Sequence, residues 1–282
     1  MLAYLEKIQK SQFGSNEESW QSLGSRASMV IAENTKRVVM ITGGSRGIGL
    51  AVAKAYAQQG DRILISGRND KTSLEDALAS LREITAEVSG ALVDVRHRRA
   101  VEGWVNRTAE TFGRIDVAIS NAGVIHPSPF LEISEEQWDE VVDTHLRGTF
   151  LFLQAVARIM IARKIRGSLI TVTAPSAVRG SSGVLDYASA KGGIIALTKN
   201  LAKELAQHGI RVNCVLPVAA TQMTDTLIQY AKVDRETWDK RYPLLGRMPT
   251  TEDVAGAFTF LGSEASRCMT GQVLYVDAGT TS

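Results

Sequence analysis

Residues 38–49, Val38-Val39-Met40-Ile41-Thr42-Gly43-Gly44-Ser45-Arg46-Gly47-Ile48-Gly49, constrain the fold more than any other stretch. A short β-branched run passes directly into a glycine-rich turn. The turn opens an apolar helical pattern (Leu50, Val52, Ala53, Tyr56, Ala57) that stops at Gly60. Strand, glycine turn and helix in that order suit a phosphate diester: the turn admits the ligand to the backbone, and the helix N-terminus offers unpaired N–H groups and a positive dipole end. The spacing Gly43-x3-Gly47-x-Gly49 differs from G-x-G-x-x-G, and no Gly-Lys-Ser/Thr follows as in a Walker loop. A nucleotide-binding α/β chain is the expectation.

The rest of the chain alternates in the same way. A second strand, Arg62–Ser66, closes on Gly67-Arg68-Asn69, and a helical pattern follows over Ser73–Val88. A third strand reads Gly90–Val95, a helix covers about Val101–Phe112 with Gly113 as its stop, and a fourth strand, Ile115–Ser120, runs into Asn121-Ala122-Gly123. Residues Ser134–Lys164 form one long helix or two nearly continuous ones, with capping-box spacing between Ser134 and Gln137. A fifth strand (Leu169–Thr173), a helix from Asp186 to about His208, a sixth strand (Arg211–Leu216), a helix over Glu252–Leu261 and a last strand (Val273–Asp277) complete it. Such alternation means a doubly wound parallel sheet with helices on both faces, in a single domain over residues 37–282. Ligands of such sheets bind beyond the carboxyl ends of the strands, where Gly43–Gly49, Arg68, Asp94 and Asn121 converge.

Composition narrows the class. The 282 residues are 44% hydrophobic and 22% charged, and 32 Lys+Arg against 30 Asp+Glu leave a formal charge of +2, too balanced for a nucleic-acid partner. Cys214 and Cys268 give no disulfide framework, and four scattered histidines make no metal cluster. No apolar run approaches the roughly 20 residues of a membrane span, so a reducing, cytoplasmic setting is expected. Residues 1–36 read as a loosely ordered arm or a short docked helix. Residues 221–248, with Met223, Leu227, Tyr230, Trp238, Tyr242 and Leu244, read either as a mobile helical lid over the substrate or as a fixed hydrophobic flank.

Two pairs of side chains point to chemistry. Arg46 in the glycine turn and Arg68 after the second strand place two guanidiniums where an acidic residue would otherwise accept from a ribose 2′-OH. They favour a 2′-phosphate, and hence NADP(H). Tyr187 and Lys191 are four apart on one helix face; an ammonium beside a phenol lowers the tyrosine pKa and makes it a usable acid for a carbonyl oxygen, or a base for an alcohol.

These residues resemble the short-chain dehydrogenase/reductase family over roughly residues 36–282. The resemblance rests on Thr42-Gly-Gly-Ser-Arg-Gly-Ile-Gly49, Asp94-Val95, Asn121-Ala122-Gly123, Tyr187-x3-Lys191, Arg211–Pro217 and Val276-Asp277-Ala278-Gly279. It is nearest to 3-oxoacyl-carrier-protein reductases and related carbonyl reductases, and implies a Rossmann-like fold. It implies that Tyr187 exchanges a proton with the substrate oxygen and that Lys191 holds the nicotinamide ribose. Cofactor contacts would come from Gly43, Ser45, Arg46, Gly47, Ile48, Gly49, Arg68, Asp94 and Val95 (adenine), Asn121, Ala122 and Gly123 (ribose side), Pro217 and Thr221 (nicotinamide end). A symmetric homo-oligomer, commonly a tetramer, would be built on the helices about Gln137–Lys164 and Tyr187–His208.

Four positions depart from the family pattern. Ala174 stands thirteen residues before the tyrosine, where a catalytic serine is usual, leaving Ser176 or Thr173 as the nearby hydroxyl. His145 replaces the helix asparagine, Val218 the glycine after the strand-six proline, and Ala278 a frequent glycine. The expected activity is NADPH-dependent reduction of a ketone or aldehyde to an alcohol, with Tyr187, Lys191 and Ser176 as catalytic residues. A non-catalytic NADPH-binding sensor and an NADP-dependent alcohol dehydrogenase working oxidatively are the alternatives.

Overall fold

In the first strand, β1 (Val38–Thr42), Val38 and Met40 enter one core and Val39 and Ile41 the other, as the two-residue repeat of a strand demands. Both faces are therefore covered. The computed structural model describes residues 36–241 and 243–282, and Arg37–Ser282 forms one compact unit. The arm expected over residues 1–36 lies outside the described residues apart from Lys36, as does Tyr242.

After β1 come α1 (Gly47–Gln58), β2 (Arg62–Gly67), α2 (Lys71–Arg82), β3 (Val88–Leu92), α3 (Arg98–Phe112), β4 (Val117–Ser120), α4 (Glu135–Val142) and α5 (Gly148–Ala162). The second half contains β5 (Ser168–Val172), the four-residue α6 (Ser176–Arg179), α7 (Leu185–Leu205), β6 (Arg211–Pro217), α8 (Gln222–Ala231), α9 (Arg235–Arg241), α10 (Thr251–Leu261) and β7 (Val273–Val276). All seven strands are parallel, in the order β3-β2-β1-β4-β5-β6-β7. Chain direction across the sheet reverses between β1 and β4, which opens a crevice at their carboxyl ends.

One core packs α3 and α5 against the sheet, with Trp104 stacked on Phe152 at 5.8 Å between ring centres. The other packs α1, α2 and α10, where the fully buried Tyr56 donates its hydroxyl to the Phe258 carbonyl at 2.6 Å.

Several boundaries differ from the sequence pattern. The helix expected to reach Val88 ends at Arg82: Ile84 N and Thr85 N both turn back to Leu81 O, Ile84 is exposed, and Val88 pairs with Ile63 as the first residue of β3. That strand ends at Leu92, so Asp94 and Val95 lie in the turn beyond it. The fourth strand is bounded at Val117 instead of Ile115, although Asp116 N still donates to Val38 O and Ser168 N to Asp116 O, both at 2.9 Å; the Asp116 carboxylate accepts from Val38 N (2.8 Å) and from Arg114. The long helix is α4 and α5 joined by a π turn, Asp143–Arg147. Ser134 caps α4 by accepting from Gln137 N. The Gln137 side chain does not return the bond; it reaches across to His126 O and Asp186.

The crevice is held open by one residue pair. Thr42 Oγ1 accepts from Asn121 N (3.0 Å) and Ala122 N (3.1 Å), while Asn121 Nδ2 donates to the carbonyls of Thr42 (3.2 Å) and Gly43 (3.0 Å). Gly43 has φ +65°, and a Cβ there would sit 2.8 Å from Ala122 Cα. A Cβ on Gly49 would strike the Gly43 carbonyl oxygen. Both positions require glycine, the first for conformation and closeness, the second for closeness alone. Asn121→Ala removes both side-chain bonds and leaves two carbonyls short of a partner. It is expected to lower unfolding stability by about 1–3 kcal/mol in urea titrations, with an unchanged m-value.

Candidate active site

The carboxyl ends of β1, β2, β4, β5 and β6 enclose a cavity of about 690 Å³. It is lined by Gly43, Ser45, Arg46, Gly47 and Ile48 from the glycine turn, by Arg68 after β2, and by Asn121, Ala122 and Gly123 after β4. Val95, Ser176, Tyr187, Lys191, Pro217 and Thr221 line it as well. Two residues expected there do not. Gly49 lies one layer behind, against Gly43 O. Asp94 is turned away: its carboxylate accepts from Arg96 N and from the Arg96 guanidinium at 2.6 Å. Burial pushes that carboxyl up, but the Arg96 bonds outweigh it and leave it below the usual carboxylate range. The hydrophobic wall beside it is made by Val93 and Val95.

The nucleotide end fits a phosphate diester. The first residue before α1, Arg46, is extended (φ −161°, ψ 173°) and gives the helix no side-chain cap, so its leading N–H groups face the glycine cradle. The cavity also has unmet hydrogen-bonding capacity. Among the described residues, five buried side-chain polar atoms lack a hydrogen-bond partner; four of them, on Ser66, Thr144, His145 and Ser176, belong to residues lining this cavity. A polar ligand accounts for such a grouping better than a packing fault does.

At the opposite end α7 presents Tyr187 and Lys191 on one face. Lys191 Nζ is buried and donates to Val172 O at 2.8 Å, lying 5.6 Å from the centre of the Tyr187 ring. The expected lowering of the phenol pKa is not realised in this arrangement. Burial pushes the Tyr187 phenol up, and burial lowers the Lys191 ammonium to about 8. Loss of solvation is the cause of the phenol shift, while Lys191 sits over the ring and gives one of its ammonium protons to a backbone carbonyl. Asp186, which carried no sequence signal, is buried beside them; its carboxylate accepts from Tyr187 N (2.7 Å) and from Gln137 Nε2 (2.8 Å).

The two candidate hydroxyls separate clearly. Thr173 Oγ1 is committed, donating to Lys191 O at 2.8 Å. Pro175 (φ −54°, ψ −37°) turns the chain into α6, bringing Ser176 to the cavity wall with its Oγ buried and without a protein partner. Ala174 is buried.

His145 lies in the π turn, 1% exposed, with Nε2 3.1 Å from Val124 N and 2.7 Å from Val124 O. Its ring meets Tyr187 edge-on, 5.0 Å between centres at 87°. The ring fits only because position 123 is glycine, since a Cβ there would overlap His145 Cε1. Burial, then the nearby Lys191 charge, hold this imidazole well below the usual histidine range, so it does not titrate near neutrality as an exposed histidine would. Val218 is accommodated without a left-handed backbone, whereas Ala278 adopts φ +52° where glycine is frequent in the family. Met223, Leu227 and Trp238, from α8 and α9, make the apolar side of the cavity; Arg179 and Thr280, unmarked by any motif, also line it, with Arg179 Nη1 donating to Thr280 O at 3.3 Å.

Fold and cavity together define a dinucleotide-binding α/β protein. A family model described as enoyl-(acyl carrier protein) reductase matches residues 43–281. The 3-oxoacyl-(acyl-carrier-protein) reductase FabG of Chlamydia pneumoniae is 41% identical over 244 residues, 86% of this chain and 96% of that protein. Gluconate 5-dehydrogenase of Gluconobacter oxydans is 37% identical over 246 residues, 86% of this chain and 93% of that one. Among solved structures, a short-chain type dehydrogenase/reductase from Mycobacterium marinum superposes with a TM-score of 0.81 at 33% identity, covering 88% of this chain and 96% of that one. NAD+-bound xylitol dehydrogenase superposes with a TM-score of 0.82 at 29% identity, covering 86% and 98%. The chain belongs to the short-chain dehydrogenase/reductase family, and is a nicotinamide-dependent oxidoreductase most similar in kind to carbonyl reductases.

A buried neutral histidine has a signature in stability. Its folded pKa is depressed, so below about 6.5 the unfolded state binds a proton that the native state does not, and stability falls as pH falls. His145→Asn is expected to remove a slope of at most about 1.4 kcal/mol per pH unit from the urea stability profile between pH 7 and 5. An unchanged profile would mean that the imidazole is charged or solvated in the native state.

Proposed function

We propose that this protein is an NADPH-dependent reductase of a ketone or aldehyde, with Tyr187 as the proton donor and Ser176 as the hydroxyl that aligns the carbonyl oxygen. The observation that carries this is one continuous cavity that joins the glycine turn with Arg46, and Arg68 after β2, to Tyr187, Lys191 and an uncommitted Ser176 hydroxyl. A bound nicotinamide would supply the hydride. The chain's own residues would hold the ends: Gly43, Ser45, Gly47, Ile48 and the α1 N-terminus the diphosphate, Arg46 and Arg68 the 2′-phosphate, Asn121 through Gly123 and Lys191 the ribose, Pro217 and Thr221 the nicotinamide side. Lys191, whose ammonium has donors beyond the one given to Val172 O, would hold the ribose hydroxyls, and Tyr187 would give its proton to the substrate oxygen as the carbonyl carbon accepts the hydride.

The apolar wall of Met223, Leu227 and Trp238 supports a substrate with a hydrophobic body, and α8 and α9 act as its lid. A 3-oxoacyl chain, as in the name of the Chlamydia relative, fits that description. Exposed Phe150 and Ile161 on α5, with Phe260 on α10 and Tyr275 on β7, support a symmetric homo-oligomer. No helix among the described residues is long and apolar enough to cross a membrane, which is consistent with a cytoplasmic enzyme.

The test pairs binding with turnover. NADPH is expected to raise the thermal midpoint more than NADH does, and Arg46→Gln with Arg68→Gln to abolish the difference. NADPH oxidation against a panel of ketones and aldehydes should fall by about 10²–10⁴ in Tyr187→Phe, with nucleotide protection retained. Ser176→Ala should lower kcat while Thr173→Ala lowers stability instead. Protection without turnover on any carbonyl or alcohol would return the binding-only sensor, and turnover confined to alcohols with NADP+ the oxidative enzyme.

A further inference from the structure

Arg68 is met by a carboxylate from a helix more than seventy residues further along the chain. Its Nη1 donates to Glu140 Oε1 at 2.7 Å, and Glu140 is on α4. The other carboxylate oxygen is 3.1 Å from His126 Nε2, and Arg96 Nη1 lies 3.9 Å from Oε1. Arg96 is itself engaged by Asp94 at 2.6 Å. Two guanidiniums thus face two carboxylates, with an imidazole beside each carboxylate, His126 at Glu140 and His97 3.7 Å from Asp94. The Arg68 bond holds the Glu140 carboxyl below the usual range, so it is an anion at neutral pH.

A carboxylate and a phosphate monoester are the two acceptors that best match a guanidinium, and they compete for its N–H groups. Arg68 lines the nucleotide cavity while it is paired with Glu140. A 2′-phosphate must either take Arg68 from Glu140 or share it and face a second anion across it. A free 2′-hydroxyl meets neither cost. The pair is also easily displaced: its side chains are 37% and 29% exposed, a setting in which ion pairs are weak.

We propose that Glu140 is a specificity-determining residue for the nucleotide: by occupying Arg68 it reduces the preference for a 2′-phosphorylated dinucleotide over one with a free 2′-hydroxyl. This rests on Arg68 as the 2′-phosphate ligand and adds a competitor that opposes it. It also predicts a narrower NADPH-over-NADH margin than Arg46 and Arg68 alone would set.

Dissociation constants for NADPH and NADH, from nucleotide-fluorescence titrations of wild type, Glu140→Gln, Arg68→Gln and the double variant, provide the test. Gln keeps the shape and an acceptor while removing the charge. Glu140→Gln is expected to tighten NADPH about three- to fivefold with NADH unchanged, and the double variant to show none of that gain. An unaltered NADPH:NADH ratio in Glu140→Gln overturns the proposal. So does a gain that survives in the Arg68→Gln background, since Glu140 would then act on the phosphate without Arg68. If Arg68→Gln alone leaves the ratio of wild type intact, the 2′-phosphate role of Arg68 falls and takes this inference with it; if it collapses the ratio while Glu140→Gln does nothing, only the competitor is wrong.

Discussion

Everything the cavity does depends on two strand ends being kept apart at a fixed distance, and the bonds between Thr42 and Asn121 set that distance. β1 and β4 are neighbours in the sheet, yet their continuations must diverge for a ligand to enter. Thr42 accepts two backbone N–H groups from the β4 side, and Asn121 answers two carbonyls on the β1 side. The clasp satisfies, in the crevice itself, backbone groups that no sheet partner remains to pair. The glycine turn and the α1 N-terminus are then rigidly aimed, because Gly43 and Gly49 press against the same two segments.

The reactive end obeys a different physics. Lys191 and His145 are buried and Tyr187 is half-buried beside them, and loss of solvation is the first cause of every pKa shift among them: the phenol rises, the ammonium and imidazole fall. All three are driven toward their neutral forms. A site in this condition responds strongly to any charged or polar group that enters it, because the low-dielectric surroundings amplify each new contact.

Much of this was legible in the residues and some was not. The doubly wound sheet follows from strand-length apolar runs alternating with helical periodicity, and the positions of Arg46, Arg68, Tyr187 and Lys191 follow from where those runs end. The residues leave Ser176 and Thr173 both open as the nearby hydroxyl, because proline fixes φ but not ψ, and it is ψ −37° at Pro175 that turns the chain into α6 and brings Ser176 to the cavity. Apolar spacing outlasts the helix at Ile84 and Val88, because periodicity cannot distinguish a last turn from the start of a strand. The resemblance places Asp94 at the adenine, whereas its carboxylate is taken by Arg96 two residues on; Gln137, whose spacing to Ser134 suggests a capping box, instead reaches Asp186 across the fold, a tertiary contact. The ion pair between Arg68 and Glu140 joins residues 72 positions apart, and no local pattern encodes it. The Tyr187–Lys191 spacing predicts a lowered phenol pKa, whereas burial pushes the phenol up; a sequence shows which charge is near but not how much water is excluded.

The contact between Gly123 and His145 has a consequence for how such a chain can vary. The imidazole occupies the volume that a Cβ on residue 123 would take, and its remaining side faces the Tyr187 ring. Any larger residue at 123 forces a smaller one at 145, whereas a smaller residue at 145 leaves a void beside the tyrosine and places no demand on 123. The two positions form a one-way latch. Drift at 145 is open while glycine persists at 123, and drift at 123 is closed for as long as the histidine remains.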